Sequence, residues 1–264
     1  MKLKHRFAVI LHDPDRDSYF PLKWLSSLSM QFIMSLMDYG IYHEILPKKV
    51  YYNNRVHYFS VPHGLYNGSN FEDEELSAYL KNLKKDFTVC SILGNIRKEK
   101  NYEMTILALQ TCKNLHLVIA GKGASSNYTM SHLKKLAQLY NVNEKITWID
   151  KYLTEAEMNS VLNHTDVLLL NYASSFKSQS GILNVAAPFA PLLLVSSTDS
   201  ALYKICKRFN VAQFITPDSP NALMEKFLEW DKNKVAFITD WSEYKAFASW
   251  KHNIDITLKN FRKL

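Results

Sequence analysis

The chain has 264 residues, of which 47% are hydrophobic and 22% are charged, so it contains ample apolar material for a globular core. This composition excludes disordered, collagen-like and disulfide-scaffold proteins, and the length allows one large domain or a domain and a half. The formal net charge of +7 suits phosphate-bearing ligands or an anionic membrane surface without singling out either.

The first 66 residues contain few predicted elements. Their patterning indicates a strand over Phe7–Leu11, an amphipathic helix over Trp24–Met37, and short strands near Ile41–Ile45 and Val56–Val61. These elements are too few to close a sheet of their own, so residues 1–66 are predicted to be a partial α/β domain. The polar interval 67–85 is interpreted as a linker.

Strands and helices alternate regularly over residues 86–239. The predicted strands, rich in β-branched residues or leucine, are Phe87–Leu93, Leu115–Ala120, Ile146–Ile149, Asp166–Leu170, Leu192–Val195 and Val211–Ile215. The helices predicted from 3.6-residue periodicity are Tyr102–Cys112, Thr129–Tyr140, Thr154–Asn163, Gly181–Phe189, Ser200–Phe209 and Pro220–Trp230. Six strands alternating with helices predict a doubly wound parallel sheet of the Rossmann type. The tail, 240–264, is predicted to end in a helix that packs back toward the N-terminal part.

Cysteine usage and hydropathy bear on the compartment. Cys90, Cys112 and Cys206 form no CxxC pair, which favours a reducing cytosolic compartment and argues against a metal–thiolate site. The apolar run Phe7–Leu11 is too short for a signal peptide, and Val185–Val195 contains two prolines and falls short of the ~20 residues of a membrane span. We therefore expect a cytoplasmic protein.

The segment from Gly94 to Lys100 is the strongest candidate for phosphate binding. In an open parallel sheet, ligands bind beyond the carboxyl ends of the strands, where this segment lies. Gly94 permits a sharp exit from its strand, and Arg97, Lys98 and Lys100 place cations beside a helix N-terminus. A solvated charged turn is the alternative interpretation.

Two further glycine segments follow predicted strands. Gly121 and Gly123 allow close backbone approach, although such a pair is also common in ordinary strand-end turns. The segment Ser174–Gly181 offers hydroxyl donors at a helix N-terminus, where serine is also an ordinary N-cap. The sequence contains no GxSxG, HExxH, Walker or GxGxxG motif, which weakens the case for hydride transfer and P-loop chemistry.

Two histidines follow strands of the N-terminal part. His12 comes directly after the first strand, and His63 stands in Val61-Pro62-His63-Gly64. A single histidine is more often a structural hydrogen-bonding group than a catalyst. The strand ends are nevertheless where functional sites gather.

Taken together, these motifs resemble the GT-B glycosyltransferases of the retaining group 1 (family 4) type. The segments that carry the resemblance, in order and spacing, are 61–64, 93–100, 117–123, 165–172 and 180–183. The resemblance covers roughly residues 56–230. It implies a GT-B-like fold with one complete Rossmann-type domain and a partial N-terminal domain.

The resemblance also implies roles for individual residues. Lys100 would hold the donor diphosphate with help from Arg97, and Gly181 would open the helix that faces the donor. His12 would be the catalytic residue, near the reacting sugar. The donor-binding residues expected on this basis are Gly94, Asn95, Arg97, Lys100, Gly121, Ser178, Ser180, Gly181 and Ile182, with His63 and Gly64 nearby. The family implies retention at the anomeric carbon, with no cofactor and no metal.

Partners follow from the same resemblance. We expect a nucleotide-sugar donor and a glycan or lipid-linked acceptor in polysaccharide or glycoconjugate biosynthesis, with no nucleic-acid partner. The basic charge and the aromatic helices suggest peripheral contact with the inner face of the membrane. The better explanation of the apolar residues on the first helix is that they form its core face; they are Trp24, Leu25, Leu28, Phe32 and Leu36.

Two departures from the family pattern leave alternatives open. Relatives commonly carry a pair of glutamates at the positions of Ser178 and Ala186, so donor recognition must differ here. The first Rossmann domain of relatives is also longer, which predicts a fragment, poor catalysis by this chain alone, or a partner chain that supplies the remainder. A non-catalytic sugar-nucleotide-binding subunit is therefore one alternative, and a GT-B epimerase is another.

Overall fold

The structure is a computed structural model that describes residues 5–12, 14–15, 21–66, 68–69, 71–123, 128–232 and 239–262. The chain divides into two compact units. The smaller unit contains the described residues up to Leu65 and from Ala246 onward, and the larger unit spans Tyr66–Lys245. Each unit has its own parallel sheet.

The strands and helices follow one another in regular alternation through most of the chain. In chain order they are β1 (Ala8–Leu11), α1 (Lys23–Ser35), β2 (Tyr39–Tyr42), β3 (His57–Ser60), α2 (Glu74–Asp86), β4 (Thr88–Leu93), α3 (Tyr102–Ala108), β5 (Leu115–Ala120), α4 (Met130–Leu139), β6 (Ile146–Ile149), α5 (Glu155–Asn163), β7 (Val167–Leu170), α6 (Gly181–Ala186), β8 (Leu192–Ser196), α7 (Ala201–Arg208), β9 (Ala212–Ile215), α8 (Pro220–Lys232), α9 (Ser242–Phe247) and α10 (Trp250–Phe261).

The smaller unit is a three-stranded parallel sheet in the order β1–β2–β3. The C-terminal helix α10 belongs to this unit, where the ring of Phe261 lies 4.6 Å from that of Tyr39. The predicted second strand, Ile41–Ile45, is placed too late: β2 begins at Tyr39 and ends at Tyr42. His43 therefore follows a strand rather than lying within one.

Helix α1 does not bury the face that the sequence pattern suggests. Its buried residues are Ser26 and Met34, and Met34 packs with Leu11 and Val56 in a small core. Trp24 and Phe32 are 61% and 67% exposed, and Leu28 is exposed as well. Leu25 and Leu36 are exposed too, so the interpretation of all five residues as core is wrong. The helix turns the face that carries Met34 to the sheet instead.

The larger unit contains the complete sheet that the sequence predicts. Its six strands are all parallel and lie in the order β6–β5–β4–β7–β8–β9. All residues of β4, β5, β7 and β8 are buried, as expected for apolar strands covered on both faces. The predicted doubly wound α/β fold is confirmed.

The interval 67–85 is not only a linker, because it contains most of helix α2. The Asp73 carboxylate caps this helix by accepting a hydrogen bond from the Leu76 backbone N–H at 2.9 Å. Leu80 is fully buried, and α2 packs against α5 within the larger unit. A buried leucine thus anchors a helix whose composition is otherwise mostly polar.

The loops after β4 and β5 approach each other through their backbones. A Cβ atom on Gly121 would lie 2.1 Å from the Gly94 carbonyl oxygen, and Gly121 has a φ of +155°. The Gly94 N–H donates to Ala120 at 2.9 Å, and the Ile96 N–H donates to Lys122 at 2.8 Å. The sheet pairing is thereby prolonged beyond the strand ends, and it requires a glycine at position 121.

We predict that Gly121→Ala destabilises the chain by ~1–3 kcal/mol, because the new methyl group meets backbone atoms and the φ angle is unfavourable for alanine. Urea unfolding measures the change. Gly181→Ala is the matched control, since a Cβ at that position meets no atom within 4 Å and should shift stability by less than ~0.5 kcal/mol. Equal stability of the two variants would contradict the close approach at Gly121.

Candidate functional site

Lys100 is the buried cation of the turn that follows β4. Its side chain is only 5% exposed, and its Nζ donates a hydrogen bond to the Leu93 carbonyl oxygen. Burial, followed by the nearby charge of Arg97, lowers the pKa of Lys100 to about 7, and Glu99 opposes this shift in part. At neutral pH this amine is therefore poised between its charged and neutral forms.

The residues around Lys100 come from two segments of the larger unit, the loop that follows β4 and helix α6. A Cβ on Gly94 would lie 3.3 Å from Lys100 Nζ and 3.1 Å from Ile182 Cδ1, and Gly94 has a φ of +87°. The backbone of Gly94 thus fits between the lysine of one loop and the isoleucine of α6. The predicted donor-binding residues Gly94, Lys100 and Ile182 are brought together.

Arg97 lies exposed on the same turn, where it pairs with Glu99 at 3.3 Å. The charge of Arg97 also interacts with the buried Tyr172. The hydroxyl group of Tyr172 lies 3.0 Å from Ser180 Oγ. Burial raises the pKa of Tyr172, and the hydrogen bond to Ser180 and the charge of Arg97 oppose that shift. Tyr172 therefore joins the basic turn to the serine segment before α6.

A cavity of about 140 Å³ lies at this end of the sheet. It is lined by the predicted residues Gly94, Asn95, Gly121 and Ile182 together with Leu93, Lys122, Lys151, Tyr152, Leu153 and Met158. Its described lining does not include Arg97, Lys100, Ser178, Ser180 or Gly181. Part of the predicted set therefore shares one cavity, whereas Lys100 lies against Gly94 and Ser180 contacts Tyr172.

The serine segment before α6 is fixed mainly by its backbone. The carbonyl oxygens of Lys177 and Ser178 accept hydrogen bonds from Ala201 and Leu202 at 3.0 and 3.3 Å. Ser178 is half-buried and Ala186 is fully buried, and neither serine nor alanine supplies a carboxylate. Gly181 is exposed and begins α6.

Sequence reasoning missed several side chains of this region. Lys151, Tyr152 and Met158 line the cavity although they follow β6 or lie on α5. The signal was available, because β6 is a neighbour of β5 and its carboxyl end must reach the same edge of the sheet. Asn101 was also missed; it adopts a φ of +53° and its side chain donates to Asn171 and Asp218 at 3.0 and 3.1 Å.

In the smaller unit, His12 and His63 lie together with a third histidine, His43. The nearest nitrogens of His12 and His43 are 3.1 Å apart, and the ring centroids of His43 and His63 are 4.9 Å apart. Burial lowers the pKa of His43, and the charges of the other two histidines add to this effect. Gly64 is buried against the Trp250 indole, which a Cβ would meet at 2.5 Å.

The family assignment rests on a sequence comparison. The model of the family described as "Glycosyl transferases group 1" matches residues 72–246, about two thirds of the chain. This chain belongs to the group 1 glycosyl transferases. No curated protein sequence matches it significantly.

Solved structures show the same fold at low sequence identity. Sucrose-phosphate synthase from Thermosynechococcus elongatus has a TM-score of 0.75 at 13% identity, covering 99% of this chain and 68% of its own. Anabaena HepE in complex with UDP and glucose has a TM-score of 0.75 at 11% identity, covering 98% and 72%. The trehalose 6-phosphate synthase of Burkholderia multivorans has a TM-score of 0.63 at 10% identity, covering 97% and 66%. The GT-B expectation is confirmed.

We predict that Lys100 makes the stability of this group 1 protein depend on pH. Its pKa is about 7 when folded and ~10.4 when unfolded, so between these values the unfolded chain binds more protons and the free energy of unfolding rises with pH. Relative to that of Lys100→Met, the free energy of unfolding of the wild type should rise by up to ~1.4 kcal/mol per pH unit between these two pKa values.

Urea unfolding at pH 7, 8 and 9 measures this slope. Lys98→Met is the matched control, because Lys98 lies exposed on the same turn. Parallel stability profiles for wild type and Lys100→Met would show that the lysine is not held in a buried, charge-disfavouring position.

Proposed function

We propose that the chain transfers a sugar from a nucleotide-sugar donor to a glycan or lipid-linked acceptor with retention at the anomeric carbon. The observation that carries the proposal is the buried Lys100 beside Gly94 and Ile182, inside the segment that matches the group 1 family. A half-neutral amine at the carboxyl edge of a parallel sheet suits a ligand that brings its own negative charge. The similar HepE structure, described in complex with UDP and glucose, supports a nucleotide-sugar donor.

In this proposal, positive charge on the protein stabilises the nucleoside diphosphate as it leaves the sugar. A diphosphate near Lys100 raises the pKa of the amine and converts it to the ammonium form, which then offsets the charge that develops on the leaving group. Arg97 adds a second cation from the exposed side of the turn. In this proposal no metal ion is needed at the diphosphate.

His12 is the proposed acceptor-side residue. It follows β1 directly and is exposed, so its imidazole is accessible to a sugar hydroxyl group. Position 178 carries a serine and position 186 a fully buried alanine, so recognition of the donor sugar and ribose must rely on other groups. The polar side chains around the cavity, Asn95, Lys122 and Lys151, are the candidates.

Lys100→Ala should weaken the binding of UDP, GDP or ADP, whichever binds best, by tenfold or more, since charge-assisted hydrogen bonds contribute ~1.5–3 kcal/mol. Calorimetry in buffers of different ionisation enthalpy at pH 8 should show proton uptake by the wild type that Lys100→Ala lacks. Lys98→Ala serves as the control for general loss of positive charge.

Turnover separates the enzyme from its alternatives. Release of nucleoside diphosphate from a panel of sugar nucleotides, with glycan acceptors present, supports transfer. Nucleotide binding without release favours the non-catalytic binding subunit, and a changed sugar with no acceptor product favours an epimerase. Equal affinities of wild type and Lys100→Ala for all three diphosphates would remove the proposed donor site.

A lipid-linked acceptor at the cytosolic face of a membrane is favoured by the exposed surface of α1. The exposed apolar residues on and beside this helix are Trp24, Leu25, Leu28, Phe32, Ile33 and Leu36. None of the helices in the described ranges has the length and hydropathy of a membrane span. An apolar helix face on a protein of net charge +7 is typical of peripheral binding to an anionic surface.

We expect the chain to co-sediment with vesicles of phosphatidylglycerol more strongly than with phosphatidylcholine, and less strongly at high salt, because charge and apolar burial act together. The double variant Trp24→Ser, Phe32→Ser should lose most of this binding. Leu139→Ser, at an exposed leucine of the larger unit, should keep it. Vesicle binding that is absent or unaffected by the double variant would contradict this part of the proposal.

A further inference from the structure

Three histidines of the smaller unit converge from three neighbouring strands. His12 follows β1, His43 follows β2 and His63 lies shortly after β3, and the strand register pairs Leu11 with Tyr42 and Tyr42 with Ser60. One ligand nitrogen from each ring can be chosen so that all three lie within 4.8 Å of one another. The parallel sheet therefore brings three imidazoles together at the carboxyl ends of its strands.

Backbone carbonyl groups orient two of these rings. His43 Nδ1 lies 2.9 Å from the Val61 carbonyl oxygen, and His63 Nδ1 lies 3.1 Å from that of Gly64. Because a carbonyl oxygen only accepts hydrogen bonds, Nδ1 carries the proton in both bonds, and Nε2 is the nitrogen that has the lone pair in the neutral form of such a ring. A ring that donates to a carbonyl group through one nitrogen while the other nitrogen coordinates the ion is the usual arrangement of metal-binding histidine.

The spacing of one pair of nitrogens suits a small ion. His43 Nε2 and His12 Nδ1 are 3.1 Å apart. Two nitrogens bound to one tetrahedral zinc at 2.0–2.1 Å would be ~3.3–3.4 Å apart, so little movement is needed for a metal to replace the proton between them. His12 is the exposed member of the three, and its ring can make that adjustment.

There is also room beside the histidines. A cavity of about 200 Å³ is lined by all three of them and by Ile10, Ile41, Val61, Gly64, Trp250, Asn253 and Thr257. None of these described lining residues is acidic, and the side chains of Asn253 and Thr257 already donate to the carbonyl oxygens of Pro62 and Asn253, each at 2.9 Å. Three protein ligands leave a tetrahedral ion one position for water or an added ligand.

We propose that His12, His43 and His63 bind one divalent transition-metal ion of the class that prefers imidazole, such as Zn²⁺, with its fourth position open to the cavity. The site belongs to the smaller unit and does not involve the donor diphosphate. It departs from the expectation, based on family resemblance, that the chain uses no metal. It does not depend on the proposed transferase activity.

Binding of Zn²⁺ to the full chain, prepared without a polyhistidine tag, tests the proposal. Titration against a chromophoric zinc chelator should give one ion per chain. His12→Ala should weaken binding at least tenfold, and because His12 is exposed this variant should fold as the wild type does, which circular dichroism and thermal unfolding verify. His252→Ala, at an exposed histidine of the same unit outside the cluster, is the matched control and should bind as the wild type does.

Co²⁺ gives a second, spectroscopic measurement. The wild type should show the intense visible absorption of a tetrahedral cobalt site, and both His12→Ala and His43→Ala should lose it. Binding of less than one Zn²⁺ per chain, or equal affinity of wild type and His12→Ala, would overturn the proposal. So would an equal loss of affinity in His252→Ala, because this would reveal only adventitious binding to surface histidines.

Discussion

The backbone approach between Gly94 and Gly121 is the constraint on which the candidate donor site depends. The two residues follow adjacent strands, and the carbonyl oxygen of Gly94 occupies the place of a side chain at position 121. This contact closes the two loops over the carboxyl edge of the sheet. On its other side, Gly94 contacts the side chains of Lys100 and Ile182. The geometry of the site therefore depends on glycine, which has no Cβ atom, at both positions 94 and 121.

Burial in this geometry changes the acid–base behaviour of Lys100, because it lowers the pKa of the amine. An ammonium group removed from water loses much of its preference for the charged state even where it donates to a carbonyl oxygen, as Lys100 does to Leu93, and Arg97 adds repulsion. The neutral form of the amine is thereby favoured, and the diphosphate proposed to bind here would shift it back toward the ammonium form. The stability and the binding properties of this region have one physical origin, because both respond to the same proton.

The smaller unit shows how strand ends concentrate polar groups while a helix leaves apolar groups outside. Its parallel strands bring three imidazoles together at their carboxyl ends. Helix α1 meanwhile buries Met34 against Leu11 and Val56, which leaves Trp24 and Phe32 exposed. The first feature follows from the parallel direction of the strands, and the second from the packing of only one face of α1 among the described residues.

The sequence by itself determined the architecture of the larger unit, because buried parallel strands are continuous apolar runs that local patterning reveals, as in Val167–Leu170. It also indicated Lys100 and Gly94 as site residues, since a glycine and several cations directly after a buried strand are typical of an anion-binding turn. Tertiary structure decided what depends on distant segments: the burial that lowers the pKa of Lys100, the meeting of His43 with His12, and the face that α1 exposes. An amphipathic pattern shows that a helix has two faces, but only its neighbours fix which face is covered. In the same way, local patterning placed the end of β2 too late, so His43 was predicted to lie within the strand. The strand register shows that His43 follows the strand, beside His12.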